Sequence, residues 1–574
     1  MAALVNSLDN YTGSKLGENG HVEYGWSNSI REQILQFSFQ VTRTNDSSKL
    51  QFILTNLLRT LKNTLKNTHS SISEKEVAKG YLSILYKMIG HTRDIIDGKG
   101  EYTLTYMMIY TWYEFYPELA QFALKCLVDL GSIHQYGSWK DIKYFCKFCK
   151  TQNADVSHSL IRYAIKLVNE QLAKDLNSSS NDISLAAKWV PREKSSFGWL
   201  YEALATDYYS YIMITADTDV RQEKAVLKCK TEYRKLLSSL NRKIDTLQIK
   251  QCSHTWSAIN FDKVTSISLS KQKKAFLNIK KDGAERHPEN VDRVICAKNF
   301  TAHVQKAVDG KVEMKGKRIG LVDFTKQALD LLNSRNQTEM DLLNSQWRDS
   351  STLTKSLGNM IPMVDVSGSM EGDPLHAAIA LGIRIAEKSA LGKRVLTFSA
   401  RPSWVNLDSC PDFVSQVSIL RHAEWGMNTN FYAALDVILN SIIENKMAAE
   451  DVQDLILVVL SDMQIDVGDS CDKVSLYERM KQKYAEAGMR VHGTPFKPPH
   501  ILFWNLRSTS GFPTLSSQPN CSMMSGFSPA LLNIFCEQGI TALQACTPWS
   551  MLEETLENER YTIMAERLGQ EIVL

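Results

Sequence analysis

The sequence predicts a multidomain chain, in which an all-α, helical-repeat-like N-terminal region precedes an α/β domain built on a doubly wound parallel sheet. Three observations carry this expectation. From Ser27 to about Asn333, apolar residues recur at i, i+3, i+4 and i+7. After Asn359, short apolar runs alternate with amphipathic helices. A chain of 574 residues also exceeds what one hydrophobic core ordinarily supports.

The helical reading rests on segments such as SIREQILQFSFQV, EKEVAKGYLSILYKMIGHTRDII, YTLTYMMIYTWYEFYPELAQFALKCLVDLG and SLIRYAIKLVNEQLAKDL. Strand-like alternation is scarce, and Gly and Pro fall mainly between the helical segments, so antiparallel helices joined by short turns are expected. No repeat of fixed period is present, and any stack of hairpins is therefore irregular. From Thr231 to Asp309, helical pieces mix with basic loops such as SKQKKAFLNIKKDGAERHPENVDR. Residues 221–318 carry 23 Lys and Arg against 10 Asp and Glu, so an overall charge of +3 conceals a basic segment in an otherwise acidic chain. That asymmetry fits a polyanion contact as well as a solvated helical face. The polar stretch NSRNQTEMDLLNSQWRDSSTLTKSLGN, Asn333 to Asn359, is expected to connect a helical domain over 1–345 to a second domain over 356–574.

In the second domain the runs IPMVDVSG, RVLTFSA, LILVVLSDM and HILFWNLRS read as buried strands, and DPLHAAIALGIRIAEKSALG, NFYAALDVILNSIIENKMA and LYERMKQKYAEAG as the helices between them. Ligands of such sheets bind beyond the carboxyl ends of the strands, where strand order reverses. The first strand ends in Asp365-Val366-Ser367-Gly368-Ser369, the loop Gly426-Met427-Asn428-Thr429-Asn430 precedes a helix, and LILVVLSDM ends in Ser461-Asp462. Asp365, Ser367, Ser369, Thr429 and Asp462 thus offer hard oxygens from three loops, a donor set suited to Mg²⁺, with Mn²⁺ as a substitute. The competing reading has Asp365 and Ser369 capping the helix that starts near Pro374. A serine hydrolase is disfavoured, since VDVSGSM lacks the G-x-S-x-G elbow and His422, His492 and His500 have no evident relation to Ser367.

DVSGS, GMNTN and LSDM resemble the three loops of the metal-ion-dependent adhesion site in von Willebrand A domains. The resemblance implies that Ser367 and Ser369 hold the ion directly, Thr429 directly or through water, and Asp365 and Asp462 mostly through water. A partner's carboxylate would complete the site, which serves docking rather than turnover. The whole chain is similar to an uncharacterised family of plant, fungal and giant-virus proteins that pair a helical domain of unknown function, of the DUF2828 type, with this C-terminal domain. The matching stretches are TRDIIDGKGE (Thr92 to Glu101), YGSWKDI (Tyr136 to Ile142), AAKWVPREKS (Ala186 to Ser195), YRKLLSSLNRKIDTLQ (Tyr233 to Gln248) and HTWSAINFDKVTS (His254 to Ser266). More distantly, the order of elements is similar to the TROVE family of the Ro autoantigen, whose ring of helical repeats binds small noncoding RNAs. In that arrangement helices after the von Willebrand domain close the ring, whereas here the tail from Ser528 has to supply both the last helix and any closing contact.

Within the helical region, Arg93, Lys99 and Glu101 flank a Gly-Lys-Gly turn that reads more readily as an interhelical turn than as a phosphate loop. Trp139 and Trp189 stand beside Lys140 and Lys188, a pairing that suits either base stacking or core packing under a snorkelling lysine. Lys271, Lys273, Lys274, Lys280, Lys281 and Arg286 are the principal RNA-binding candidates, with Phe276 as a stacking residue. Eleven scattered cysteines imply reduced thiols, and the lone Cys146-x-x-Cys149 pair reads as packing. No apolar run reaches the roughly 18 to 20 residues that span a bilayer, and the first twenty residues do not read as a secretory signal. A monomeric cytoplasmic protein is expected, without a membrane role. The expected function is a noncatalytic RNA-binding ribonucleoprotein scaffold with a Mg²⁺-dependent docking site for a carboxylate-bearing protein. The alternative is a metal-dependent adaptor that touches no nucleic acid. The two separate on whether the basic charges share one face or pair with Asp and Glu.

Overall fold

The computed structural model describes residues 13–153, 155–179, 182–214, 216–334, 336–399, 401–422, 429–465, 475–536 and 540–574. The N-terminal region is helical, and its helices pack as consecutive antiparallel pairs: Ser48–Lys66 on Ile72–Arg93, Tyr102–Phe115 on Pro117–Cys126, and Trp139–Asn153 on Ser159–Asn177. Cys146 and Cys149 are buried thiols in this packing, as expected of helix-interior cysteines. One element departs from the helical expectation. A hairpin of β1 (Ser14–Leu16) and β2 (Val22–Tyr24) precedes the first described helix, and Tyr24 exchanges two backbone hydrogen bonds with Phe512. A two-stranded ribbon this short is not stable alone, so its order depends on the C-terminal half.

The C-terminal region is a mixed six-stranded sheet. Its strands are β3 (Met360–Asp365), β4 (Arg394–Phe398), β5 (Ser403–Asn406), β6 (Ile456–Ser461), β7 (His500–Asn505) and β8 (Cys521–Ser525), in the spatial order β5-β4-β3-β6-β7-β8. All neighbours are parallel except β4 and β5, so the expectation of a purely parallel sheet is corrected at one edge. Burial follows the two-residue period of a strand. On β6, Leu457 and Val459 face a core with Phe431, Leu435 and Tyr484, while Ile456, Val458 and Leu460 face another with Leu381 and Ile383. Both faces are covered, which is why these strands read as continuous apolar runs.

Helix Asp373–Lys388 is buried on nearly every side. It approaches the sheet at Gly382, where a Cβ would stand 2.6 Å from the Val364 side chain. On its other side lie helices Leu321–Ser334 and Gln337–Ser351. The stretch expected to be a connection is therefore largely an α-helix, packed through Leu342, Leu343 and Trp347. Trp347 donates to the Glu387 carboxylate at 3.0 and 3.1 Å, and the buried Arg384 guanidinium lies 4.0 Å over its ring.

The two halves meet through a buried polar network centred on Thr92 to Glu101. Arg93 holds Asp141 with two hydrogen bonds of 2.8 Å, and Tyr106 donates to the same carboxylate at 2.7 Å. The next residue, Asp94, faces the C-terminal tail and accepts two hydrogen bonds from Arg560, at 2.6 and 2.7 Å. Lys99 does not offer its ammonium to solvent. It donates to the carbonyls of Ser38 and Val41 and to the Ser525 hydroxyl on β8. Gly98 is required there, because a Cβ would fall 2.1 Å from the His91 carbonyl oxygen. The tail does return to the helical region, and helix Thr562–Glu571 packs on helix Ile72–Arg93. Among the described residues no helix is long and apolar enough to cross a membrane.

Two outcomes follow from this network. Asp94→Asn leaves the buried Arg560 guanidinium with only the more distant Asp97, at 3.9 Å, as counter-charge, and should cost up to about 3–5 kcal/mol, seen as a lower thermal midpoint and earlier proteolytic release of the tail. Removing the exposed Lys166–Glu170 pair should cost under about 1 kcal/mol by the same measurements. The second outcome concerns pH. Burial, and then the charge of Lys99, push the His91 imidazole down to about 3 from its ordinary 6.5. The folded ring is neutral where the unfolded ring binds a proton, so stability that is complete above pH 6.5 is lost as pH falls toward 3. Thermal midpoints of His91→Phe should fall less steeply over that window than those of the wild type, and an identical slope would exclude His91 as a contributor.

Candidate metal centre at the strand-order reversal

The sheet order reverses between β3 and β6, which are adjacent parallel strands with Val364 opposite Leu460. Both therefore end at the same level, and the residues that follow emerge side by side. Asp365 closes β3 and is fully buried. Its Oδ1 accepts the Ser367 backbone N–H at 2.9 Å, and its Oδ2 accepts the Ser461 hydroxyl at 2.6 Å. Burial first, and the charge of Asp462 second, push the Asp365 carboxyl up to about 7. Both effects disfavour the charged form of Asp365.

Asp462 follows β6 and is also fully buried. It accepts the Gln464 N–H at 3.1 Å and pairs with Arg507 at 3.0 Å. The turn is tight, with Met463 at a φ of 63°. Ser367 precedes the short helical turn Gly368–Met370 and Ser369 lies within it, and their hydroxyl oxygens stand 3.1 Å apart. Ligands at 2.0 to 2.1 Å in an octahedral Mg²⁺ shell lie about 2.9 Å from their neighbours, so this pair is spaced as adjacent ligands require. Thr429 is buried just before helix Phe431–Glu444, and the following Asn430 donates its N–H to the Ser399 carbonyl beyond β4. Gly426, Met427 and Asn428 lie outside the described residues.

Helix capping does not account for these residues. Helix Asp373–Lys388 begins after Gly372 with no side-chain cap, and Asp365 and Ser369 are engaged elsewhere. Among the described residues no three His, Cys, Asp or Glu gather as a metal cluster. An ion at this place would accordingly rest on hydroxyls and two carboxylates, a hard set that suits Mg²⁺ better than Zn²⁺.

Two participants were not apparent from the sequence. Ser461 bridges the strands, donating to Asp365 and accepting the Met463 N–H at 3.0 Å. Its position next to Asp462 in a strand-terminal Ser-Asp pair was the available signal. Arg507 reaches Asp462 from the loop after β7, a contact across 45 positions that no local pattern announces. The N-terminal hairpin also abuts the site: the Glu18 N–H donates to the Gln464 side chain at 2.8 Å, and Asn19 to the Gln464 carbonyl at 2.9 Å.

The basic candidates divide. Lys273 turns inward to Glu339 at 3.3 Å and to Gln327 at 3.0 Å. Phe276, the expected stacking residue, is fully buried between Phe261 and Phe300, so its ring faces are taken by the core. Lys274 reaches only the Lys281 carbonyl, and Lys271, Lys280, Lys281 and Arg286 are exposed. Elsewhere in 221–318, Lys230, Arg234 and Lys250 pair with Glu202, Glu193 and Asp245, and Lys317 with Glu313 and Asp349.

Comparison with known proteins finds two domain families in the chain. The family described as a domain of unknown function, DUF2828, matches residues 152–360, and another of the same description, DUF7788, matches residues 359–567. The chain is similar to an uncharacterized protein of Acanthamoeba polyphaga mimivirus, with 29% identity over 494 residues that cover 83% of this chain and 79% of the relative. The two matched domains meet at residues 359–360, at the entry to β3.

Proposed function

We propose that this chain is a noncatalytic scaffold whose C-terminal region is a von Willebrand A-type domain that docks a partner carboxylate through Mg²⁺. The observation that supports the proposal is that Asp365, Ser367, Ser369 and Asp462 close or follow two adjacent parallel strands, with Thr429 in the loop that Asn430 ties to Ser399 beyond β4. Ser367, Ser369 and Thr429 would hold the ion by their hydroxyls, and Asp365 and Asp462 would balance its charge and orient its waters. The ion supplies an open coordination position for a carboxylate, and the chain supplies the fixed donors. Ser461 positions Asp365, while Arg507 neutralises Asp462.

A docking role is favoured over turnover by what surrounds the serines. Ser367 and Ser369 contact one another, whereas His500 sits at the far end of β7, held by the Leu543 carbonyl and the Ser522 hydroxyl. His422 and His492 hydrogen-bond to the Ser418 and Met447 carbonyls. The pairing of many cations in 221–318 with carboxylates argues against RNA binding by that segment.

Calorimetric titration of the full chain with Mg²⁺ tests the proposal. Wild type should bind one ion, Asp365→Ala should lose binding, and Ser461→Ala should weaken it by roughly 10- to 100-fold as a change in ligand orientation. Thr429→Ala should act more mildly on the fold than Asp365→Ala, because Thr429 belongs to a loop. Superimposable curves for wild type and Asp365→Ala would sink the proposal.

A further inference from the structure

The strongest unassigned feature lies in the helical region, on the outer face of helix Trp139–Asn153. Lys140, Lys143, Lys147 and Lys150 recur at helical spacing, along about 15 Å of axis at 1.5 Å per residue. The helix has one carboxylate, Asp141, and it is buried and bound by Arg93 and Tyr106. None of the four lysines forms an ion pair among the described residues, whereas Lys125, Lys166 and Lys235 on other helices each have a carboxylate three or four residues away. Four like charges on one face repel one another. Burial, and then the charge of Lys271, push the Lys140 ammonium down, so the basic segment adds a fifth cation at this end.

Instead of carboxylates, these lysines meet rings. Lys143 stands 5.0 Å from the centre of Tyr144, 5.5 Å from Trp189 and 5.3 Å from Phe197. Lys150 stands 4.6 Å from Trp199, and Lys140 5.3 Å from Tyr144. Tyr144, Trp189, Phe197 and Trp199 are each half-buried, so their rings are fixed in place yet partly open to solvent. Fixed rings interleaved with ammonium groups that have no carboxylate partner among the described residues are what a strand of stacked bases and phosphates requires. An acidic peptide would satisfy the charges and leave the rings unused. A bilayer would call for Trp, Phe or Leu side chains that protrude, whereas these rings are half-buried.

We propose that this face binds single-stranded nucleic acid, with bases stacking on Tyr144, Trp189, Phe197 and Trp199 and phosphates meeting Lys140, Lys143, Lys147 and Lys150. The site is independent of the metal centre, and binding should persist in a chelator. It also moves the nucleic-acid contact away from Lys280 and Lys281, which lack rings beside them.

The test is fluorescence anisotropy of the full chain with labelled 15-mers of oligouridylate and oligodeoxyuridylate over a range of salt. The wild type should bind at least one, and a preference between them identifies the sugar that the face accepts. Lys143→Ala with Lys147→Ala should weaken binding about ten-fold or more and flatten the log–log salt slope by roughly 0.7 per lost contact. Trp199→Leu should weaken binding roughly five-fold or more while leaving the slope unchanged. If Trp199→Leu lowers the thermal midpoint, Lys150→Ala reads the same end of the face. The proposal is overturned if neither probe binds, or if both sets of variants bind as wild type. It is equally overturned if polyglutamate competes as well as nucleic acid of equal charge, or if only Lys280→Ala with Lys281→Ala reduces binding.

Discussion

The parallel register of β3 and β6 sets Asp365 beside Ser461 and leaves Asp462 one residue further on, so both acids are buried at the same end of the sheet and much of the C-terminal region responds to that constraint. Burial, and then the charge of Asp462, disfavours the ionised form of Asp365. The chain answers with a hydroxyl from Ser461, a backbone N–H from Ser367 and a guanidinium from Arg507. Among the described residues Arg507 pairs with Asp462 and lies 3.9 Å from Glu18, and no cation pairs with Asp365.

The helical region is tied to this site by contacts that are individually costly to break. Arg93 and Asp94 are consecutive residues facing opposite ways, one into the helical core and the other toward the tail. Breaking either pair would leave a charge stranded, which accounts for the concentration of buried polar groups around Thr92 to Glu101. The β1–β2 hairpin extends the connection to Gln464, two residues beyond Asp462. A partner seated on the metal centre would therefore lie close to the N-terminal hairpin as well as to the sheet.

Much of this was legible in the sequence, for identifiable reasons. β3, β4, β6 and β7 are apolar runs because they are interior strands, and Asp365, Ser367, Ser369 and Asp462 stood out because they end such runs. β5 and β8 were not legible. Ser403–Asn406 is an edge strand with alternating exposure, and Cys521–Ser525 holds two serines that are buried by neighbouring strands rather than by their own character. Helix Gln337–Ser351 was hidden by polar composition, since Leu343 and Trp347 are few among hydrogen-bonding residues. The inward turn of Lys273 depends on Glu339, which is distant in sequence, and the rings beside Lys143 and Lys150 come from other segments. Local pattern reports strands and strand ends, while pairing across the chain decides which charges stay free.

The most direct test of the account is anomalous diffraction from crystals of the full chain grown with Mn²⁺, which occupies Mg²⁺ sites and scatters strongly enough to be located. The account predicts a single strong peak within coordination distance of the Ser367 and Ser369 hydroxyls, absent from crystals of Asp365→Ala. Crystals of folded wild-type chain with no Mn²⁺ beyond β3 and β6, and with Ser367 and Ser369 still bonded to one another, would contradict it.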